Sequence, residues 1–335
     1  MDDAGDPSDD DQAPRLPPAG VAGDAMLWAA WLYYGEALTQ NEVAAALGVS
    51  RTSVANYLAE ARRRGLVTID LDPDLLAQLD LGRRLAARHG LAGVHVAPAI
   101  EGEGEESAAA LRGRLGRAAA HVVGAWLSDG NVIGVAWGRT MLEMAHALPR
   151  RELGRVEVVQ LSGSSLGDAV TSPEACTVLI AGRLGARSRN FHAPAVVSSR
   201  DLCDALLAEP ALERHFARLR ACDIAVLGIG ELGPGTTWSD TDFLPSSVVD
   251  AYLAAGSAGV VLGRFIDAEG REVQGPLTGR QIGMALDALA ALPVRIGVAG
   301  GAAKVAAIRA TLKGGYLTHL VTDRTTAETL MKEAP

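Results

Sequence analysis

Cysteine is scarce in this chain. Cys176, Cys203 and Cys222 are its three, widely spaced, and no two form a C-x-x-C pair. A disulfide framework is therefore excluded and no zinc-binding signature is present; isolated thiols fit a reducing cytoplasm. Long apolar runs are missing as well. Each is broken by glycine or a charge well short of the roughly 20 residues a membrane helix needs, although 48% of the 335 residues are apolar. No membrane partner is expected. The seven histidines lack metal-ligand spacing, and no segment reads G-x-x-x-x-G-K-[ST]. Catalytic residues, metal ligands and cofactors are therefore not assigned. His121 and His192, the histidines nearest to strand ends or core, both read as structural.

Positive charge is in short supply overall, with a formal net charge of -9. Its distribution matters more than its sum. Residues 1–24 hold seven Asp and one Arg, with Pro and Gly but almost no large apolar side chains, and read as a disordered acidic tail. Residues 39–69 hold four Arg against two Glu, a local excess of positive charge.

That basic stretch has the order of a helix-turn-helix. Thr39 and Glu42 form T-x-x-E, the sequence form of a capping box. The helix they start, from Gln40, runs through Val43, Ala44 and Leu47 and stops at Gly48. Ser50 reads as the N-cap of a second helix, Arg51 to Arg64. Val54, Leu58 and Ala61 share its apolar back; Thr52, Ser53, Asn56, Glu60 and Arg63 fall on its polar front. Upstream, Met26 to Tyr34 is an apolar helix able to pack behind both, and Leu66–Ile69 suits a wing strand. Side chains at the front of the second helix suit base edges in the major groove. The amides at both helix starts and the Arg62-Arg63-Arg64 run suit phosphates.

After Asp72-Pro73-Asp74 the pattern changes to short β-prone runs alternating with Ala/Leu-rich helical segments. The expected strands are 94–97, 132–136, 156–161, 195–197, 224–229, 294–298 and 319–322. Such alternation implies right-handed crossovers and a mainly parallel sheet. Small and polar residues follow several strands: Trp137-Gly138-Arg139-Thr140, Ser162-Gly163-Ser164, Gly230-Glu231-Leu232-Gly233, Gly300-Gly301 with Lys304, and Asp323. Ligands of open α/β sheets bind at such strand ends, where glycines let backbone amides approach an anion. Lys304 at a helix start suits a phosphate. Asp267 reads either as a turn residue before Gly270 or as an acceptor for sugar hydroxyls.

Taken in order, these segments resemble the SorC family of bacterial sugar-binding transcriptional regulators, also described as SorC/DeoR-type. The resemblance covers about residues 25 to 333. It rests on Leu38-Thr39-Gln40, Leu47-Gly48-Val49-Ser50-Arg51, Gly134 through Thr140, Gln160-Leu161-Ser162-Gly163-Ser164, Leu227-Gly228-Ile229-Gly230, Leu262 through Asp267, Val298 through Gly301 with Lys304, and Leu320 through Asp323. It implies an α/β chain: a helix-turn-helix domain at 25–72, then an effector and oligomerisation domain at 73–335. The latter would be Rossmann-like, resembling sugar-phosphate isomerase/CoA-transferase folds. It implies a homo-oligomer, typically a tetramer, with double-stranded operator DNA and a phosphorylated sugar as partners. Gly138, Arg139 and Thr140 would hold phosphate, flanked by Gln160, Ser162 and Gly163. Asp267 would hold sugar hydroxyls, and Lys304 would pair with the anion. Ser50, Arg51, Thr52, Ser53 and Asn56 would read DNA. Two departures stand out: Ala55-Asn56 replaces the family's second Ser-Arg pair, and Gly259-Val260 replaces its Gly-Asp. The alternatives are a sugar-phosphate isomerase-like enzyme with a helical appendage, and a constitutive DNA-binding protein whose second domain serves only assembly.

Asn56 suits adenine rather than guanine. Asn56→Ala is expected to relax discrimination at one base position by roughly 1–3 kcal/mol. Binding to a set of single-base operator variants checks this, and an unaltered preference would remove Asn56 from the readout.

Overall fold

The first described helix begins at Asp24, whose carboxylate accepts from the amides of Met26 and Leu27 at 3.0 and 3.1 Å. The computed structural model describes residues 23–67, 73–98, 106–164, 172–233 and 244–332, so the acidic stretch 1–22 lies outside them. The chain divides into two compact units, one ending at Asp72 and the other starting at Pro73.

In the first unit, α1 (Ala25–Ala30) continues into one π-helical turn, Trp31–Gly35. Next come α2 (Gln40–Leu47) and α3 (Arg51–Arg63). The capping box closes in both directions: Glu42 N–H donates to Thr39 Oγ1 at 3.4 Å, and Thr39 N–H donates to Glu42 Oε2 at 2.7 Å. Gly48 takes the left-handed conformation, φ 65°, that ends α2, a geometry that costs other residues more. Ser50 Oγ accepts from Ser53 N–H at 3.0 Å to start α3. Helix α3 is one residue shorter than expected, because Arg64 is its C-cap. Val43, Val54, Leu58 and Ala61 pack with Trp28, Ala29 and Leu32 of the preceding segment in one apolar cluster. Of the expected wing, Leu66 and Val67 are not in a strand, and Thr68 and Ile69 lie outside the described residues.

Among the described residues, the second unit is built on nine strands. They are β1 (Gly93–Ala97), β2 (Val132–Val135), β3 (Glu157–Gln160), β4 (Arg187–Arg189) and β5 (Ile224–Gly230). After them come β6 (Ser257–Val261), β7 (Arg264–Asp267), β8 (Val294–Val298) and β9 (His319–Asp323). Between them run α4 (Pro73–His89), α5 (Ala108–Trp126), α6 (Arg139–Ala147), α7 (Pro173–Leu184), α8 (Arg200–Leu207) and α9 (Pro210–Arg220). The later helices are α10 (Ser246–Ala254), α11 (Leu286–Ala290), α12 (Val305–Lys313) and α13 (Arg324–Lys332). Seven strands run parallel in the order β1-β9-β8-β5-β2-β3-β4. Side chains alternate between two apolar clusters: Ile224 and Val226 of β5 enter one with α5, α6 and α7, while Ala225 and Leu227 enter the other with α12 and α13. Both faces are thus covered by helices, as a parallel sheet requires.

Three differences from the expected strands have local causes. Segment 195–197 forms no strand. Its groups bond to two loops in single bridges, Ala195 N–H to Ser164 O and Val197 N–H to Arg280 O, with no continuous ladder. Strand β4 is an exposed three-residue edge, Arg-Ser-Arg, with no apolar signal. Strands β6 and β7 form an antiparallel hairpin added to the end of β5. Its turn, Leu262-Gly263, has φ of 50° and 81°, the positive pair of a two-residue hairpin turn.

Glu157 opens β3 and is only 8% exposed. Arg189 of the adjacent strand β4 holds it at 2.8 Å and Arg218 of α9 at 2.7 Å. Hydrogen bonding to Arg189, partly opposed by burial and helped by Arg218, keeps its carboxyl below the usual 4.5. A depressed native value means the stabilisation is full above the unfolded value and is lost as pH falls through the native one. Glu157→Gln is expected to cost about 1–2 kcal/mol near neutrality, less than a fully buried pair because both arginines are partly exposed. Urea unfolding over a descending pH series checks it: the difference between variant and parent should shrink as pH falls through the native value.

Candidate functional site

On the first unit, Ser50, Arg51, Thr52 and Asn56 are exposed along the start of α3, with Ser53 half-buried beside them. Thr39 and Gln40 sit at the start of α2. The two caps take one first-turn amide each, Glu42 N–H and Ser53 N–H, and both helix starts carry partial positive charge. The arginine run is partly engaged: Arg63 and Arg64 both pair with Glu60, at 2.5 and 2.6 Å. Their hydrogen bonds bring the Glu60 carboxyl down to about 2. Arg62 bonds back to Leu58 O at 3.3 Å. The exposed Arg63 and Arg64 side chains would have to share or release Glu60 to meet a phosphate.

In the second unit a cavity of about 320 Å³ opens at the C-terminal ends of β2, β5 and β8. The first turns of α5 and the Leu262-Gly263 turn complete its wall. Leu262 holds its positive φ without being glycine or asparagine, a conformation that costs about 1–2 kcal/mol and persists because Val261 pairs with Arg264 on either side.

After β2 the chain turns through Gly138, φ 121°, directly into α6. The N-cap makes no side-chain bond to that helix, and Gly138, Arg139, Thr140 and Met141 line the cavity. This is the helix-start geometry that binds anions. Arg112 of α5, the helix packed on α6, lines the same cavity. It is half-buried and makes no hydrogen bond or close ion pair among the described residues. Burial, with the repulsion of Arg139, pushes its pKa down, against a smaller pull from Glu143 and Glu231. Two cations held close in a partly dry cavity favour an anion between them.

The other strand ends behave differently. Gly230 lines the cavity, and Glu231 after it pairs with Lys304 at 3.1 Å. Lys304 also donates to Ile229 O at 2.8 Å. The Gly300-Gly301 pair lines the wall, but the Gly301 amide is already used, donating to Asp323 Oδ2 at 2.9 Å and Thr326 Oγ1 at 2.8 Å. Asp323, 4% exposed, also caps α13 through Thr326 N–H at 2.9 Å. These glycines admit the Asp323 carboxylate behind the wall; the Gly301 amide is not aimed at a ligand.

Four expected effector residues do not reach the cavity. Gln160 is fully buried, its amide bonded to Ser162 O at 2.7 Å and to Phe191 N–H at 3.2 Å. Gly163 is packed against the backbone of Ala195, which leaves no room for a methyl group. Ser162 faces a separate void of about 20 Å³. Asp267 pairs with Ser257 at the opposite end of the β6–β7 hairpin from the Leu262-Gly263 turn. Its carboxylate accepts from Glu269 N–H and Arg271 N–H, both at 2.9 Å. Asp267 therefore takes the turn-residue role at this end of the hairpin. Conversely, Arg112, Glu106 and Val260 line the cavity without having been singled out as effector contacts. Arg112 reads as one more solvated charge in the Ala-rich α5; only the packing of α5 on α6 turns it inward.

An open parallel sheet with an anion-favouring cavity at its strand ends, following two capped helices in sequence, is the build of a ligand-responsive regulator. Residues 74–332 match the putative sugar-binding domain family, and the chain belongs to it. Among its relatives is an uncharacterized transcriptional regulator of Escherichia coli K12, YjhU, 35% identical over 309 residues that span 92% of this chain and 94% of the relative. The transcriptional regulator LsrR of Klebsiella pneumoniae is 32% identical over 313 residues, 90% of this chain and 91% of LsrR. The full-length sorbitol operon regulator SorC of Klebsiella pneumoniae superposes with a TM-score of 0.71 at 29% identity, covering 91% of this chain and 97% of that structure. The resemblance to SorC-type regulators therefore holds, and the isomerase-like reading falls, since these relatives are regulators and not enzymes.

A methyl group at Gly300 would collide with Asp323 Oδ2 and crowd Leu115. Gly300→Ala is expected to destabilise the second unit by about 1–3 kcal/mol by displacing the Asp323 cap. Chemical denaturation checks it; parental stability would show that Asp323 yields without strain.

Proposed function

We propose that the protein is a DNA-binding regulator, acting as a repressor, of a carbohydrate-metabolism operon in the cytoplasm. Operator DNA is read by α3, with Ser50, Arg51, Thr52, Ser53 and Asn56 at base edges. Thr39, Gln40, Arg62 and Arg63 contact the DNA backbone. A phosphorylated sugar enters the cavity of the second unit, its phosphate at Gly138, Arg139 and Thr140. The observation that carries this reading is the uncapped start of α6 facing two neighbouring guanidinium groups, Arg112 and Arg139, in one cavity.

The switch follows from linkage. A ligand changes DNA affinity only by binding the DNA-competent and incompetent states unequally. A homo-oligomer, with a tetramer as the expected state, gains most, because paired recognition helices must match the duplex repeat. Release of DNA on sugar binding is the expected sign.

Thermal stability against a panel of free and phosphorylated sugars tests the effector. Ligand at a hundredfold excess over its dissociation constant stabilises the folded form by roughly 2.7 kcal/mol. A shift with one phosphorylated sugar and none with its free counterpart is expected. No shift with any sugar phosphate would favour a second unit that serves only assembly.

A further inference from the structure

Helix α3 and its C-cap carry four arginines against one glutamate. Arg51 opens the helix and Arg62, Arg63 and Arg64 close it, and all four are exposed. Among the described residues Arg51 makes no ion pair or side-chain hydrogen bond, and Arg62 meets only Leu58 O. Arg63 and Arg64 share a single carboxylate, Glu60, at 2.5 and 2.6 Å. A guanidinium has five N–H donors, so both keep donors to spare. Arginine takes a carboxylate with the same planar fork that takes a phosphate. A face built for phosphate therefore also accepts carboxylates, as Glu60 already demonstrates.

The same chain carries a dense block of carboxylates nearby in sequence. Asp2, Asp3, Asp6, Asp9, Asp10 and Asp11 fall within residues 2–11, with no Lys or Arg among them. The block belongs to the stretch 1–22, outside the described residues, and joins the first unit through residues 12–22, whose only charge is Arg15. A connector of that length spans at most roughly 36–40 Å. Helix α1 begins at Ala25 and packs on α3, with Trp28, Ala29 and Leu32 in one cluster with Val54, Leu58 and Ala61. Packed helices lie about 8–10 Å apart and a helix of α3's length is roughly 20 Å long. Every part of α3 is thus within roughly 30 Å of the start of α1. The connector is long enough to lay the acidic block along the arginines. It is short enough to hold the block there at roughly millimolar effective concentration. Exposed ion pairs are individually weak, and the tether makes up for that weakness.

We propose that the acidic segment 2–11 docks on the arginines of α3 and competes with DNA phosphates for them, so that the chain carries its own brake on DNA binding. This rests on the reading of α3 as the DNA-contacting helix and adds a regulation to it. Competition lowers DNA affinity by the fraction of molecules whose α3 is free. Occupancy of roughly two thirds to nine tenths lowers it about three- to tenfold. Salt screens the docked segment as well as the duplex. DNA affinity therefore falls less steeply with salt in the parent than in a chain whose block is neutral.

The test compares the full chain with a full-length variant carrying Asp2→Asn, Asp3→Asn, Asp6→Asn, Asp9→Asn, Asp10→Asn and Asp11→Asn together. The first readout needs no DNA: the rate at which phenylglyoxal, a neutral reagent, modifies each arginine, followed by peptide mass spectrometry. Arg51 and the 62–64 run should react about threefold or more slowly in the parent at about 50 mM salt, and equally in both proteins at about 300 mM. Arg214 and Arg220, exposed on α9, are the references and should react alike throughout. The second readout is fluorescence anisotropy with a labelled duplex of mixed sequence. The variant should bind it about three- to tenfold more tightly at the lower salt, with the steeper salt dependence. Equal modification of the α3 arginines would overturn the proposal even if the variant bound DNA more tightly, because removing plain repulsion would then account for the gain. So would protection that extended equally to Arg214 and Arg220, or duplex affinity that stayed the same once protection was lost. Were neither protein to bind any duplex, the DNA reading would fail by itself. Selective protection of the α3 arginines would then still uphold the docking of the acidic segment, and its absence would overturn it.

Discussion

Burial on both faces of the sheet is the constraint from which the rest of the second unit follows. Along β5, Ile224 and Val226 enter one apolar cluster while Ala225 and Leu227 enter the other. A strand apolar on both sides must be covered on both sides, and helical crossovers between parallel strands do this. Parallel strands place all their C-terminal ends along one edge. Among the described residues, the chain leaving β2 there enters α6 directly, and a helix start carries positive partial charge. The cavity is therefore a product of packing before it is a product of selection for a ligand. Its residues then decide what it holds.

Those residues are arranged at some cost to the empty protein. Arg112 and Arg139 are brought together although they repel, and burial weakens the hydration of Arg112. Leu262 is kept in a left-handed conformation at the cavity wall. Both features oppose folding and favour occupancy, a combination typical of functional sites. Glu106 and Glu231 limit that cost in different ways. One is locked to Arg114 at the rim; the other quiets Lys304 within the cavity. The net charge of -9 says nothing about this balance, since the cavity and the α3 face are each set by a handful of neighbours.

Much of this was legible in the sequence because it rests on local rules. T-x-x-E, Gly48 and Ser50 each predict a particular bond or backbone angle, and all three form. Apolar runs marked six of the seven parallel strands. What the sequence hid depends on distant neighbours. Strand β4 carries no apolar signal, since Arg187-Ser188-Arg189 is an exposed edge. Segment 195–197 has a strand's composition but no partner that continues past one bridge. Gly163, Gly300 and Gly301 look alike as glycines at strand ends. Yet Gly163 makes room for a neighbouring backbone and Gly300 for the buried Asp323 carboxylate. Arg112 could not be told from other helix-surface arginines, because its direction is set by how α5 packs on α6.

The buried Asp323 also links the cavity to the part of the second unit nearest in sequence to α2 and α3. Its Oδ2 accepts from Gly301 at the cavity wall, and its Oδ1 accepts from Thr326 in the first turn of α13. Helix α13 packs on α4, with Leu330 and Leu85 in the same apolar cluster. Helix α4 begins at Pro73, where the first unit ends. A ligand that displaces the Gly300-Gly301 wall strains the Asp323 hydrogen bonds to Gly301 and α13 together, because a buried carboxylate is costly to leave unpaired. The route runs through hydrogen bonds from the Gly301 wall to α13 and through apolar packing from α13 to α4. It transmits a signal to the extent that occupied and empty cavities favour different placements of α13, which is the unequal binding that any effector needs.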